Sequence, residues 1–423
     1  MKRPSEASLC RSYAVKRDEL DPIGHIRSRF ETHESPIYLD GNSLGRMPSA
    51  TPAYLERVAR EQWGRDLVLS WEKWIDWSSE IGNRIAASAL GAEAGTVTVS
   101  DSTTVNLYKL ASAAVSYHQD RKVLIVDADD FPTNRYIARS VAESAGLTIR
   151  QLSSHIDEGL DVTELESLLD DQVALIMLSS TAYRSGAGAD IKLVNEMAHR
   201  VGALVLWDVS HSVGLMPLNL EASGTDLAVG ATYKYLNGGP GSPAFLYVRP
   251  SLQKSLEQPI SGWFSHRSQF DMSDAFFPAA GIQRFLSGTP HILSLAPLGP
   301  ALDILEDVGI ERVSDKSVEL IGFCSALVDS WLVPLGFDIA SPIEPTRRGG
   351  HITLRHEEAW RVSQALREEC GVICDYREPS RLRIAPAPLY TRFVDVWDAM
   401  FRLSELAISE EYLSYPVKKG SIT

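Results

Sequence analysis

Short, continuous runs of apolar and β-branched residues alternate with stretches of helical periodicity, and this alternation constrains the fold more than any other feature. Strands are predicted at residues 123–126, 173–178, 204–206 and 245–248, and a helix at 191–200. Strands that are apolar on both faces and separated by helices form a parallel or mostly parallel sheet covered on both sides. Ligands of such sheets bind beyond the carboxyl ends of the strands, so functional side chains are expected just after each strand.

The pattern changes near residues 290–300, where prolines interrupt it before a long helical stretch that ends near residue 332. Before the sheet, residues 51–90 have helical periodicity and a tryptophan-rich patch. After residue 336 the sequence indicates a smaller α+β unit, with strands at 351–354 and 382–384 around a helix at 357–369. We expect an N-terminal arm at 1–50 that joins the small domain, a large domain at 51–300, and a linking helix with the small C-terminal domain at 301–423.

The composition is that of an ordinary globular protein, because 44% of the 423 residues are hydrophobic and 23% are charged. The net charge of -14, without a block of Lys or Arg, excludes a generic nucleic-acid binder. No apolar run has signal-peptide length, and no window is expected to approach the ~20 apolar residues of a membrane span. The expectation is therefore a soluble cytoplasmic protein.

Four cysteines are too few for a disulfide framework. Cys370 and Cys374 would share one face of a helix, but no second His/Cys pair lies nearby to complete a zinc site. We expect no metal and free thiols, as in a reducing compartment.

An aspartate and a lysine follow neighbouring strands of the predicted sheet. Asp208 ends the strand at 204–206, and Lys234 follows the next apolar run, just before a glycine-rich turn. The interval between them is long enough for one helix and one strand, so both fit one cleft. Pyridoxal 5'-phosphate needs such a pair: a lysine amine to hold its aldehyde, and a carboxylate to keep its ring nitrogen protonated. A structural ion pair with a surface lysine is the simpler alternative.

Other segments add to this interpretation. Thr103 and Thr104 open a predicted helix after the strand at 96–99, and hydroxyls with free N–H groups at a helix N-terminus suit a phosphate, although an ordinary N-cap looks the same. Phe131 follows another strand, where it could stack on a ring or belong to the core. Arg383 lies on a C-terminal strand, where a guanidinium could bind a substrate carboxylate or simply face solvent.

Taken together in this order, the motifs resemble the kynureninase family of fold-type-I pyridoxal-phosphate enzymes over almost the whole chain. They are LDGNSLG at 39–45, DSTTVNL at 101–107, DDFPTN at 129–134, WDVSHSVG at 207–214, TYKYLNGGPG at 232–241, GWFSH at 262–266, RFLSGTPHILSL at 284–295 and APAPLY at 385–390.

The resemblance implies an α/β fold of the fold-type-I transferase kind, with a mostly parallel seven-stranded sheet and a small α+β C-terminal domain. It implies hydrolysis of the Cβ–Cγ bond of L-kynurenine or 3-hydroxykynurenine, or of another ring-substituted kynurenine, to alanine and an anthranilate. Tryptophan catabolism, NAD synthesis and specialised metabolism are all compatible with that reaction.

The resemblance also implies roles for single residues. Lys234 is expected to be the Schiff-base lysine and base, Asp208 the partner of the ring nitrogen, and Arg383 the ligand of the substrate α-carboxylate. Two residues, Trp263 and Thr289, are expected to reach the phosphate of the neighbouring subunit in a homodimer with shared active sites. The aromatic end of the substrate is expected at Asn42, Trp71 and Trp74. Further cofactor contacts are expected at Thr103, Thr104, Phe131, Thr133, Asn134, Ser179, His211 and Tyr233.

The sequence departs from the family pattern at several positions. Asn134 stands where the family has aspartate, which should weaken that cofactor contact. Ser265 replaces a glycine, and Ser180 and Ala182 replace a His or Gln and an Asn. If Ser265 and Ala182 border the substrate's ring, we expect a preference for a substituted ring.

Two alternatives keep the cofactor. An aminotransferase or a desulfurase-like lyase would share the Lys–Asp pair, but a desulfurase needs a mobile cysteine near the site. A non-catalytic pyridoxal-phosphate-binding protein would have lost the lysine or gained a DNA-binding unit, and neither is visible in the sequence.

Overall fold

The computed structural model describes residues 9–420. The first eight residues of the expected arm and the last three residues of the chain lie outside this range. The strands are β1 Ile37–Tyr38, β2 Val97–Val99, β3 Val123–Asp127, β4 Thr148–Leu152, β5 Val173–Ser179, β6 Leu204–Asp208, β7 Leu227–Gly230, β8 Phe245–Val248, β9 Asp338–Ile339, β10 Ile352–Arg355, β11 Val372–Ile373, β12 Asp375–Arg377 and β13 Arg381–Ile384.

Short 3₁₀ and π segments separate or extend many of the α-helices. The α-helices are α1 Arg11–Glu19, α2 Thr51–Arg57, α3 Trp71–Trp74, α4 Trp77–Ile85, α5 Thr103–Tyr117, α6 Pro132–Ala145, α7 Val162–Leu168, α8 Ile191–Arg200, α9 Pro250–Gln253, α10 Ile292–Leu295, α11 Leu298–Val308, α12 Ile310–Leu327, α13 Ala359–Glu368 and α14 Phe393–Ser409.

Seven strands form one large sheet in the order β2-β8-β7-β6-β5-β3-β4. The strands β4, β3, β5, β6 and β7 are parallel, and β8 runs antiparallel to both of its neighbours. Successive side chains of a strand point to opposite faces, and those of β5 enter two separate cores. Leu175 and Met177 face the core beneath α5 and α6, whereas Ile176 and Leu178 face the core beneath α8. The predicted mostly parallel, doubly covered sheet is confirmed.

A third core belongs to the C-terminal part of the chain. It lies beneath the four-stranded antiparallel sheet β12-β13-β10-β9 and includes side chains of α12, α13 and α14. The N-terminal arm contributes to it, because β1 pairs in parallel with β11. In addition, the Asp18 carboxylate of α1 accepts the backbone N–H groups of Phe393 and Val394, the first residues of α14. These N–H groups have no partner within their own helix. The domain boundaries drawn from the sequence stay a prediction.

Three local predictions need correction. The edge strand β4 of the large sheet was not predicted, and the interval between Asp208 and Lys234 contains β7 but no helix, although it is long enough for one. The expected linking helix is two helices, α11 and α12, which meet at Gly309 with a φ of 83°. Cys374 lies between β11 and β12, so it does not share a helix with Cys370. Within residues 9–420, none of the four cysteines is in a disulfide.

One helical stretch, Ile310–Leu335, is long and apolar enough to cross a membrane by length and composition alone. The expectation that no window approaches a membrane span is therefore wrong on that measure. Core helices pass the same test, and Leu320, Ile321, Cys324 and Leu327 of this stretch are completely buried in the C-terminal core. We assign the stretch to that core.

Candidate active site

A cavity of about 520 Å³ lies at the carboxyl ends of the central strands. Parallel pairing of β5 with β6 sets Ser179 directly opposite Asp208, so both side chains reach the same edge of the sheet. Most of the residues singled out for a cofactor line this cavity. They are Thr103, Thr104, Phe131, Thr133, Asn134, Ser179, Asp208, His211, Tyr233 and Lys234.

The Asp208 carboxylate is held on two sides. Its Oδ1 accepts the backbone N–H of Ser210 at 2.9 Å, and its Oδ2 accepts the side-chain amide of Asn134 at 3.2 Å. Ser210 is fixed in turn, because its Oγ accepts the N–H of Ala231 at the end of β7. These bonds leave the carboxylate in one orientation at the cavity wall.

Lys234 ends in the interior beside a histidine. Its Nζ lies 2.9 Å from Nε2 of His211, whose Nδ1 has no hydrogen-bond partner among residues 9–420. Burial lowers the pKa of Lys234 to about 8, against an opposing attraction from Asp208. Burial, followed by the nearby Lys234 charge, lowers the pKa of His211 well below its usual value. The lysine therefore has a substantial neutral fraction near pH 8, next to a neutral imidazole.

The N-terminus of α5 points at the other end of the cavity. Ser102 caps the helix by accepting the N–H of Val105 at 3.3 Å, and Thr103 and Thr104 line the cavity. The neighbouring Asp101 carboxylate would repel an anion, but the buried Lys109 ammonium contacts it at 2.8 Å. A helix N-terminus with free N–H groups and a neutralised carboxylate suits a phosphate group.

An aromatic pair forms one wall of the cavity. The rings of Phe131 and Tyr183 meet edge to face, with centroids 5.4 Å apart, and the Phe131 side chain is 44% exposed. Phe131 is therefore a wall residue with a free face, and it is not part of the hydrophobic core.

Arg383 is buried and does not line the cavity. Its Nε donates to Oδ1 of Asp375 at 2.7 Å, its Nη2 contacts the other carboxylate oxygen, and its Nη1 donates to the carbonyl of Tyr183 at 2.6 Å. The fork predicted to bind a substrate carboxylate is thus engaged by a carboxylate of the protein.

The remaining predicted residues also lie away from the cavity of this single subunit. Asn42 is buried, and neither atom of its amide has a partner in the described part of the chain. Trp71 and Trp74 pack edge to face, and the Trp74 indole donates to Gln62. Trp263 and Thr289 are exposed on the surface.

The structure adds residues that were not singled out and removes the basis for one expectation. Tyr183, Ser210 and His291 line the cavity. Ser210 and His291 lie inside the motifs at 207–214 and 284–295, and Tyr183 directly follows Ala182. The Ser265 hydroxyl donates to the carbonyl of Gly262 within its own turn. Ala182 borders a separate small cavity. In one subunit, these two positions give no reason for a shifted ring preference.

Comparison with known proteins gives two family matches. The model of the kynureninase C-terminal domain matches residues 313–403, and that of the aminotransferase class-V family matches residues 81–356. A kynureninase of Pseudomonas fluorescens is 39% identical over 404 residues, which cover 94% of this chain and 95% of that protein. A kynureninase of Burkholderia pseudomallei is 38% identical over 410 residues, which cover 95% of this chain and 96% of that protein.

Solved structures with the same fold are more distant in sequence. A cysteine desulfurase from Thermococcus onnurineus superposes with a TM-score of 0.77 at 18% identity, over 91% of this chain and 98% of that chain. A structure of C-DES with glycine covalently linked to its PLP cofactor gives a TM-score of 0.79 at 16% identity, over 90% and 99% of the two chains. At such identities the likeness concerns the fold alone.

The lowered pKa of Lys234 predicts its reactivity toward an aldehyde. Only a neutral amine attacks a carbonyl, so labelling of Lys234 by pyridoxal 5'-phosphate and borohydride should rise with pH, with a midpoint near 8. Peptide mapping by mass spectrometry at each pH measures this, and Lys234→Ala is the control that must lose the labelled peptide. A midpoint near the ~10.4 of an ordinary lysine would contradict the assigned environment.

Proposed function

The chain belongs to the kynureninase family, and from this membership we propose a reaction and a role for each residue of the cavity. It is a pyridoxal-phosphate-dependent enzyme of the kynureninase hydrolase type. The reaction is hydrolysis of the Cβ–Cγ bond of L-kynurenine, or of a ring-substituted kynurenine, to L-alanine and an anthranilate. The proposal rests on one observation: Lys234, Asp208 and the N-terminus of α5 line the same cavity.

The donor and acceptor groups of the cavity fit pyridoxal 5'-phosphate. A carboxylate at one end suits a protonated ring nitrogen, and a helix N-terminus at the other end suits the phosphate. When bound, the cofactor supplies an electron sink for charge that develops on the substrate's α-carbon. Phe131 offers its exposed face to the ring. Hydroxyl, amide and imidazole contacts are assigned to Thr103, Thr104, Thr133, Asn134, Ser179, His211 and Tyr233.

Lys234 is proposed to hold the cofactor covalently and, once released, to take the α-proton of the substrate at its Nζ. A general base works best when its pKa lies near the operating pH. Burial brings the pKa of Lys234 to about 8, and the neutral His211 can accept a hydrogen bond from its ammonium form. Asn134 and Ser210 donate hydrogen bonds that hold the Asp208 carboxylate in place, so this group need not reorient during turnover.

Arg383 is proposed to bind the substrate α-carboxylate, with Asn42 toward the aromatic end of the substrate. Arg377 also contacts Asp375, at 2.9 Å, so two guanidinium groups share this carboxylate. Burial, followed by repulsion from Asp375, raises the pKa of nearby Asp40 to about 7. With Asp40 neutral the cluster has a net positive charge, which favours the arrival of another carboxylate.

The enzyme is proposed to act as a homodimer in which Trp263 and Thr289 complete the cavity of the partner. Trp263 is 41% exposed, and its ring contacts that of Phe270, which is 64% exposed. Large exposed apolar side chains near one another mark interaction surfaces. The pathway, and a cytoplasmic location consistent with the absence of disulfides among the described residues, are part of this proposal.

A desulfurase reaction has no support at this site. None of the four cysteines lines the cavity, and Cys324 and Cys374 are buried in the C-terminal core.

The first prediction tests the reaction itself. Protein reconstituted with pyridoxal 5'-phosphate should release equal amounts of alanine and anthranilate from L-kynurenine, and Lys234→Ala should abolish this turnover. Lys192→Ala, on the exposed face of α8, is the matched control and should keep full activity. Parallel assays with 3-hydroxykynurenine and a methylated kynurenine rank the ring substituents. Absence of both products from every kynurenine would overturn the proposal.

The second prediction concerns the guanidinium fork. Arg383→Lys keeps the charge but cannot bind a carboxylate bidentately, so kcat/KM should fall roughly 10- to 100-fold. Arg383→Ala should, in addition, lower the free energy of unfolding, but by less than the about 3–5 kcal/mol of a fully broken buried ion pair, because Arg377 remains as a partner of the buried Asp375. Arg355→Lys, on the exposed side of the same sheet, is the matched control. Unchanged kinetics for Arg383→Lys would remove this residue from the carboxylate site.

The third prediction tests the shared active site by complementation. Trp263→Ala and Lys234→Ala should each be inactive, whereas a mixture refolded together should regain about one quarter of wild-type activity, because half of the dimers contain one intact site. Sedimentation velocity should show a dimer for each variant. No recovery in mixed dimers would mean that Trp263 serves its own subunit.

A further inference from the structure

A second carboxylate is buried behind Asp208. Asp130 lies in the loop between β3 and α6, is 5% exposed and does not line the cavity. Its Oδ1 accepts the hydroxyl of Ser179 and the backbone N–H of Phe131, both at 2.6 Å. No cationic side chain among residues 9–420 forms an ion pair with it.

A single amide connects this carboxylate to Asp208. The Nδ2 of Asn134 lies 3.3 Å from Oδ2 of Asp130 and 3.2 Å from Oδ2 of Asp208. An amide nitrogen has two hydrogens, so it can donate to both carboxylates at once. Ser179 stands opposite Asp208 in the β5–β6 pairing and contacts both Asp130 and Asn134. The position of Asp208 therefore depends on a network that ends at Asp130.

Two carboxylates that are joined by one amide carry an electrostatic cost. Burial, against the hydrogen bond from Ser179 and together with the neighbouring charge of Asp208, raises the pKa of Asp130 to about 7. A buried carboxylate without a positive partner destabilises the folded protein. A cation held at the cavity face of Asp208 would attract both carboxylates and offset this cost.

We propose that Asp130 is a positioning residue for the cofactor: through Asn134 and Ser179 it orients Asp208, and its charge favours a protonated ring nitrogen. The inference rests on the proposed function only in that pyridoxal 5'-phosphate binds with its ring nitrogen at Asp208. It also explains how the chain functions with Asn134 where an aspartate was expected, because the second carboxylate comes from Asp130 instead.

The test is the affinity of the apoenzyme for pyridoxal 5'-phosphate, together with the melting temperature of the apoenzyme. Asp130→Asn should raise the dissociation constant on the order of tenfold, as expected for a lost charged hydrogen bond, without lowering the melting temperature. A merely structural role would lower the melting temperature as well. Asp127→Asn is the matched control, because its carboxylate bonds to the backbone of Asp129 and Ser154 and not to Asp208.

Two further measurements identify the mechanism. Exchanging the groups in Asp130→Asn/Asn134→Asp restores one carboxylate and one amide, so the double variant should bind the cofactor more tightly than either single variant. A deaza analogue, with carbon in place of the ring nitrogen, should bind wild type and Asp130→Asn equally.

The inference fails if Asp130→Asn binds pyridoxal 5'-phosphate as tightly as wild type, or if the deaza analogue is weakened to the same degree. Neither result would affect the proposed reaction. Conversely, a wild-type enzyme that binds the cofactor but does not cleave kynurenine would overturn the reaction and leave this inference standing.

Discussion

The parallel pairing of β5 with β6 is the constraint on which the site depends. Its register places Ser179 opposite Asp208 and brings both to the edge where ligands of parallel sheets bind. A slip of one residue would turn the Asp208 side chain to the opposite face of the sheet. The apolar residues of both strands prevent this slip, because their alternate side chains fill separate cores. The core packing of the large sheet thereby fixes the position of the Asp208 carboxylate.

Burial then gives the two ends of the cavity opposite electrostatic character. At one end Asp208 is supported by a second buried carboxylate, and at the other Lys109 cancels the charge of Asp101 so that the α5 N-terminus remains attractive to anions. Lys234 lines the same cavity, where loss of solvent lowers its pKa toward the range useful for proton transfer. A cofactor with a cationic ring nitrogen and an anionic phosphate matches this polarity in only one orientation.

The sequence was sufficient for the central sheet and for the residues at its strand ends, because continuous apolar runs identify buried parallel strands. It was insufficient for β4, an edge strand whose polar residues Arg150 and Gln151 hide the apolar pattern. The partner of Arg383 was also hidden, since Asp375 becomes its cross-strand neighbour only when β12 pairs with β13. Asp130 was visible as part of a motif, but its bond to Asn134 depends on how the loop before α6 folds.

The engagement of Arg383 by Asp375 also bears on how the substrate is held. Under the proposed role of Arg383, a substrate carboxylate would either displace Asp375 or join a cluster that contains two guanidinium groups, and the raised pKa of Asp40 favours joining. Asp40 lies in the arm segment that continues to Gly45, whose N–H donates to the carbonyl of Tyr233 at 2.8 Å. A side chain at Gly45 would meet the carbonyl of Lys234 at 2.2 Å, so only glycine permits this close approach. The arm therefore connects the proposed carboxylate site to the backbone that carries Lys234, through a contact that tolerates no side chain.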